Sequence, residues 1–380
     1  MVPEDDDDER EALICLAHAV EPADDHVGAM VREHGASATL ALLRQGRSGL
    51  RDEPGLLARL ADADPLAAQE RADALGARIL HRGGPGWPTQ LDHLGDAAPF
   101  ALWVLGAADL RLTAIRSFAM VGARACTAYG ESVARTWSAA LADASWTVVS
   151  GGALGIDAAV HRGALGCGGM TICILACGVD VAYPRAHEPL LHRIADEGLL
   201  VSESPPGEQV RRRRFLTRNR LIAALTRATV VVEAGLRSGT TSTANAAAAL
   251  NRPVLAVPGP VTSPMSAGCH DLIREGVAQL AGGPEDILEV IEPVDAAVAL
   301  ARTRAVRARD RSAQPRPADG LTDRQLRVLD ALPARGAITV QALVATSGMA
   351  TADVIGCLAI LAARGLARPC HGGWELVGRA

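Results

Sequence analysis

Between residues 115 and 292 the chain repeats one unit: a short, unbroken apolar run, a glycine or another small residue, and then a helical segment. The runs are Phe118–Val121, Trp146–Val149, Thr171–Ala176, Leu199–Ser202, Thr229–Val232 and Val254–Val257. A strand with one face in water alternates polar and apolar residues, whereas a run that is apolar throughout suits a strand covered on both faces. Helices between such runs imply parallel neighbours, because a helical crossover returns the chain to the same end of the sheet. The expected core is α/β, a Rossmann-like doubly wound parallel sheet. Its ligand site should lie along the carboxyl ends of the strands.

A length of 380 residues leaves room for two further units. Residues 1–80 read as a small helical (SAM-like) domain. Helices are expected over Glu11–Val20, Val27–Glu33, Thr39–Arg44 and Pro65–Leu75, in a packing role rather than as a DNA contact, since acids outnumber arginines at the start. Residues 81–294 hold the Rossmann-like unit. Residues 295–320 collapse into Ala, Arg and Pro, with Arg302, Arg304, Arg307, Arg309, Arg311 and Arg316, and read as a linker. Residues 321–380 give a helix over Asp323–Leu332 capped by Thr322, a short strand at Ile338–Val340, and helices over Gln341–Thr346 and Thr351–Arg364. A hairpin over Gly365–Leu376 follows, which is the order of a winged helix.

Composition removes several mechanisms. All 38 basic residues are arginine, so a Walker A loop, a lysine Schiff base and a lysine general base are excluded. A net charge of −5 excludes a uniformly basic coat but not a local basic patch. The eight cysteines form no C-x-x-C, and Cys173 and Cys177 read as buried thiols rather than metal ligands. No metal and no cofactor are expected. Without a signal layout or a run of about 18 apolar residues, a cytoplasmic location is expected.

The strand ends carry the chemistry. The first leads into Gly122-Ala123-Arg124 and on to Tyr129-Gly130, the second into Gly151-Gly152-Ala153-Leu154-Gly155-Ile156-Asp157. The third leads to Tyr183-Pro184-Arg185, the fifth to Gly235-Leu236-Arg237-Ser238-Gly239-Thr240. Glycine lets a phosphate approach the backbone, and a following helix offers unpaired N–H groups. The G-x-G-x-x-G fingerprint of a dinucleotide site is absent. Asp157 reads as a helix cap, and Ser150 with His161 lacks the nucleophile elbow. Arg211 to Arg220 holds six arginines around Phe215 on the same rim, which suits a phosphate backbone with bases stacked. Both tyrosines, Tyr129 and Tyr183, also fall in these loops. The residues point to a phosphate-rich linear ligand, single-stranded nucleic acid, and to no catalytic group.

The strings YPRAH, LLVSESPPG, TRNRLIAAL and Ser263–Cys269, in order across the middle domain, resemble the DNA-processing protein A family (DprA, also called Smf). The resemblance implies a protein that binds and protects single-stranded DNA entering a cell in transformation, forms a homodimer through the Rossmann-like domain and helps load the RecA recombinase. Carried over, the DNA-binding set is Arg124, Gly152, Arg185, Arg218, Asn219, Arg220, Ser238, Gly239 and Thr240, with Arg218 and Arg220 expected to serve the ligand and not the fold. Leu154 stands where the family usually has arginine. Two alternatives remain open. A nucleoside monophosphate phosphoribohydrolase would need a glutamate where Thr243 stands, and a nucleotide-sensing transcription regulator would need cations along Thr351–Arg364.

Overall fold

In the computed structural model, which describes residues 4–47, 49, 53–236, 238–292, 320–334 and 336–377, each of the six apolar runs contains a strand. Two strands precede them, β1 (Ala77–His81) and β2 (Ala101–Leu105). The runs supply β3 (Ser117–Val121), β4 (Thr147–Gly151), β5 (Thr171–Leu175), β6 (Leu199–Ser202), β7 (Thr229–Val231) and β8 (Val254–Ala256), and β9 (Gln279–Leu280) closes the edge. The sheet order is β1-β2-β6-β5-β4-β3-β7-β8-β9. From β6 to β9 every pair is parallel, as the crossovers require. The expectation of a wholly parallel sheet is corrected at the other edge: β1 pairs antiparallel with β2, and β2 antiparallel with β6. No crossover α-helix separates β1 from β2, only a 3-10 segment at Thr89–Ala97, so the chain doubles back.

Helices cover both faces. Phe118 and Met120 of β3 point to the face covered by α7 (Ala128–Asp143), α8 (Ile156–Gly166) and α13 (Pro284–Ile291). Ala119 and Val121 point to the other, under α10 (Arg212–Leu225), α11 (Thr240–Ala249) and α12 (Ala267–Arg274). This two-sided burial is why the strands read as continuous apolar runs. The helices α6 (Leu110–Ile115) and α9 (Glu188–Glu197) complete the crossovers.

Five N-terminal helices, α1 (Glu4–Ala19), α2 (Asp25–His34), α3 (Ala36–Arg44), α4 (Glu53–Asp62) and α5 (Pro65–Ala74), share one core with the antiparallel edge. Leu16, Leu43 and Leu56 pack with Ala101 and Trp103 of β2, and His18 meets the Trp103 ring edge-on at 5.3 Å. The α4 helix is absent from the sequence expectation. By contacts the chain divides into two units, residues 1–298 and 299–380. In the second, helices Asp323–Ala331, Val340–Ser347 and Thr351–Ala363 enclose Val328, Leu343, Leu358 and Leu361. A hairpin, Ala367–Cys370 with Gly373–Leu376, follows them, and Ile338 bridges to Trp374. Thr322 and Gln325 form a reciprocal capping box at the first of these helices. The arginines expected in a linker, Arg302 to Arg316, lie outside the described residues. Among the described residues no single helix is long and apolar enough to cross a membrane.

Phe118 is fully buried on the central strand. Phe118→Ala is expected to cost about 3–5 kcal/mol, a large part of the ~5–15 kcal/mol that holds a domain folded. Chemical denaturation of the full chain measures it, and a loss below about 1 kcal/mol would contradict this packing.

Candidate functional site

The strand order places β3 beside both β4 and β7, so the chain leaves β3 toward one half of the sheet and later returns beside it to build the other half. Loops at such a switch point diverge and open a crevice at the carboxyl ends. Here the crevice has a volume of about 430 Å³. Arg124 and Asp157 line it from one side, Arg218 and Asn219 from α10, and Ser238, Gly239 and Thr240 from the loop after β7. A smaller hollow adjoins it, lined by Arg124, Gly152, Leu154, Tyr183, Phe215 and Arg218. There the Arg124 guanidinium lies 4.9 Å over the Phe215 ring, and Tyr183 packs on Phe215 at 5.5 Å between centroids.

The loops are held by one another. Buried Glu233, just past β7, accepts from the Thr127 amide at 2.9 Å and hydroxyl at 2.6 Å, tying the loop after β7 to the loop after β3. Gly130 makes this possible, since a Cβ there would collide with the Glu233 carboxylate. Gly155 (φ 78°) starts α8 against the Ala123 and Arg124 carbonyls, where only glycine fits, and the Ile156 amide donates to Ala123 at 3.1 Å. His187 Nδ1 lies 3.1 Å from the Gly152 carbonyl oxygen, joining the YPRAH loop to the second loop. The Asn219 side chain donates to Ser242 Oγ at 2.7 Å, which fixes α10 against the start of α11.

Electrostatics beneath the edge are set by burial. The Arg218 guanidinium donates to the Ile174 carbonyl, while its Nε has no partner. Burial lowers the Arg218 pKa and raises that of Asp157, and the attraction between the two opposes both shifts. The amides of Ala153 and Gly122 also bond to Asp157, whereas the N-cap of α8 is Gly155, so the expected helix-cap role is corrected: Asp157 ties the loops after β3 and β4 together from inside the first turn of α8. Ser150 donates to the Met120 carbonyl at 2.7 Å. His161 sits between the Gly151 carbonyl at 2.9 Å and Thr171 Oγ1 at 2.8 Å, with burial pushing its pKa down to about 4. Both are thus held inside the fold and do not form a nucleophile and base. Among the described residues no group of His, Cys, Asp and Glu is arranged to hold a metal.

The family model for DNA recombination-mediator protein A matches residues 78–292, the whole sheet with its loops. The chain belongs to that family. The putative DNA processing protein DprA of Mycobacterium tuberculosis is 48% identical over 283 residues, 74% of this chain and 69% of its own length. The solved structure of DNA processing protein A from Streptococcus pneumoniae superposes with a TM-score of 0.64 at 31% identity, covering 73% of this chain and 96% of that one. The Helicobacter pylori DNA processing protein A, solved to explain its single-stranded DNA binding mode, gives a TM-score of 0.50 at 30% identity, covering 56% of this chain and 94% of that one.

The six arginines of this family member's 211–220 segment do not share a direction. Arg211 pairs with Glu21 at 2.8 Å, and Arg214 with Glu21 at 3.0 Å and Glu208 at 2.7 Å. Arg220 is gripped by both oxygens of Glu203, at 2.6 and 2.8 Å, and donates from Nε to the Ala97 carbonyl at 2.9 Å. Arg212 and Arg213 are exposed, with no carboxylate partner among the described residues, as are Arg124 and Arg185. The expectation that Arg218 and Arg220 spare the fold is therefore corrected: Arg218 is buried, and Arg220 is partly buried and engaged with Glu203 and the Ala97 carbonyl. Arg218 still lines the crevice, whereas Arg185 stands outside both linings. Arg237 lies outside the described residues. The sequence reading missed Glu21, Glu203, Glu208 and Glu233. The acids flanking an arginine run, in SES and GEQ, were the available signal for Glu203 and Glu208.

Arg220→Ala is expected to destabilise the chain by about 3–5 kcal/mol, because it strands a buried carboxylate. Replacing the pair together, Glu203→Leu with Arg220→Met, should cost less, and urea melts of the two variants compare them.

His161 gives a pH dependence. Its folded pKa lies below the ordinary 6.5, so between the two values the unfolded chain binds a proton that the folded chain refuses. The associated stability is intact above pH ~6.5 and declines toward pH ~4, by roughly 3 kcal/mol. Tm measured across that range should fall, and more shallowly in His161→Gln.

Proposed function

We propose that this protein binds single-stranded DNA, independent of sequence, along the carboxyl edge of its parallel strands. The observation that carries the reading is the switch-point crevice, with a polar lining of Arg124, Asn219, Ser238, Gly239 and Thr240 beside the Arg124–Phe215–Tyr183 stack. Exposed arginines attract phosphates, rings take unpaired bases, and hydroxyls and backbone groups add contacts that do not depend on the base. Gly152 and Arg185 extend this interface, and Arg218 supports it from beneath. The single-stranded DNA binding mode of the H. pylori protein supports the same ligand.

The wider role follows the family: handling of incoming DNA in transformation, loading of RecA, and a homodimer formed through the Rossmann-like domain, in the cytoplasm. The N-terminal helices act as a SAM-like packing domain, and the C-terminal unit is a winged helix. Its helix Thr351–Ala363 carries Asp353 and no arginine, which suits a protein contact better than duplex reading. For hydrolysis of a nucleotide, Thr243 in the crevice offers no carboxylate where the phosphoribohydrolase pattern has one.

The test is a salt titration. Four exposed arginines, Arg124, Arg185, Arg212 and Arg213, correspond to a slope of log K on log salt of about −3 for a single strand. A flat response, or tighter binding of duplex than of single strands, would refute the reading.

A further inference from the structure

Charge is unevenly spread along this chain. Residues 1–76 hold seventeen acidic residues against seven arginines, a net charge of −10, whereas residues 77–292 hold nineteen of each and are neutral. Among the described residues, the acidic N-terminal helices are ion-paired to the arginine run through one side chain, Glu21. Glu21 lies between α1 and α2 and receives the Arg211 guanidinium at 2.8 Å and that of Arg214 at 3.0 Å. Arg211 is the N-cap of α10, and Val210 and Phe215, on either side of it in the chain, line the hollow beside the crevice.

The engaged arginines of the run are of two kinds. Arg220 and Glu203 form a closed pair at 2.6 Å, each side chain only 11% exposed. Arg214 is likewise sunk, and Glu208 holds it at 2.7 Å independently of Glu21. Arg211 is different. Its side chain is 56% exposed and that of Glu21 is 48% exposed, so water screens their attraction and the pair is readily exchanged. Its second acid, Glu208, stands off at 3.7 Å and is already engaged with Arg214. A phosphate offers the same guanidinium an equally good charge-assisted partner. Without Glu21, Arg214, Arg218 and Arg220 keep their other contacts, so one cation is uncovered while α10 stays held.

We infer that Glu21 is a removable mask: in the free protein it occupies Arg211, and a phosphate of the bound strand competes with it for that guanidinium. This inference rests on the single-stranded DNA reading above and adds its regulation. The mask is carried by the N-terminal helices, so their seating sets how many cations the strand can reach. A contact that draws Glu21 aside raises the affinity for the strand, and one that holds Glu21 against Arg211 lowers it. By linkage, the bound strand weakens the Glu21 contact to the same degree.

The experiment titrates fluorescein-labelled oligothymidylate with the full chain over a series of salt concentrations, for the parent and for Glu21→Gln, which keeps the side-chain shape and removes its charge. The variant should bind about threefold more tightly at the lowest salt, with log K against log salt steeper by about 0.7, the share of one further phosphate on a single strand. In an Arg211→Gln background the same substitution should change neither affinity nor slope. Weaker binding by Glu21→Gln at an unchanged slope would make Glu21 a prop for α10 alone and overturn the inference, as would unaltered binding. A gain that persists in the Arg211→Gln background would show general repulsion by the acidic helices and no mask, which also overturns it. Failure of the parent chain to bind the strand at all would sink the underlying reading and this inference with it.

Discussion

The central sheet has no face to spare. Phe118 and Met120 fill one side of β3, Ala119 and Val121 the other, and helices close over both. A ligand can therefore meet the parallel strands only at their ends, where backbone groups that leave the ladder need new partners. Those partners are side chains sunk beneath the edge. Glu233 takes the Thr127 amide, Asp157 the amides of Ala153 and Gly122, His161 the Gly151 carbonyl, and Arg218 the Ile174 carbonyl. Each loop is thus anchored from below before any ligand arrives. A prearranged edge spares the ligand part of the ordering cost that a mobile loop would impose.

The arginine run shows how one helix divides its charges. Arg214, Arg218, Leu221, Ile222 and Leu225 fall at helical spacing on one stripe and are buried. Arg212, Arg213 and Leu216 fall on the opposite side and are exposed. Four arginines of the segment answer to four acids: Arg211 and Arg214 to Glu21 and Glu208, Arg220 to Glu203, Arg218 to Asp157. What reads as six cations facing a ligand is two facing outward and four engaged with the fold.

That difference marks how far the sequence alone reaches. The six apolar strands and the glycine loops at their ends are legible because two-sided burial writes itself as unbroken hydrophobicity. The strand β2, Ala-Leu-Trp-Val-Leu, is equally apolar and leads through Gly106 into a helix, but that helix, α6, has only 6 residues and falls short of the crossover helices that complete the other units. The partners of the arginines were illegible for another reason. Glu21 lies 193 positions before Arg214, and only the packing of the N-terminal helices against β2 brings it to α10. The inward stripe of α10 was open to reading, because a helical period assigns Arg214 and Arg218 to the same side as Leu221 and Ile222.

The Glu21 contact also joins the N-terminal helices to α10. Arg214 is 10% exposed at its side chain but Glu21 is 48% exposed, so solvent screens the pair and its net contribution to stability is small. Its geometry matters more. Glu21 receives three guanidinium bonds, from Arg211 at 2.8 Å and from Arg214 at 3.0 and 3.2 Å, and together with Glu208 it fixes the rotation of α10 about its own axis. That rotation decides which arginines of the segment reach solvent. In a chain of net charge −5, a positive edge depends on such placement rather than on composition, and the five helices before the sheet help to set it.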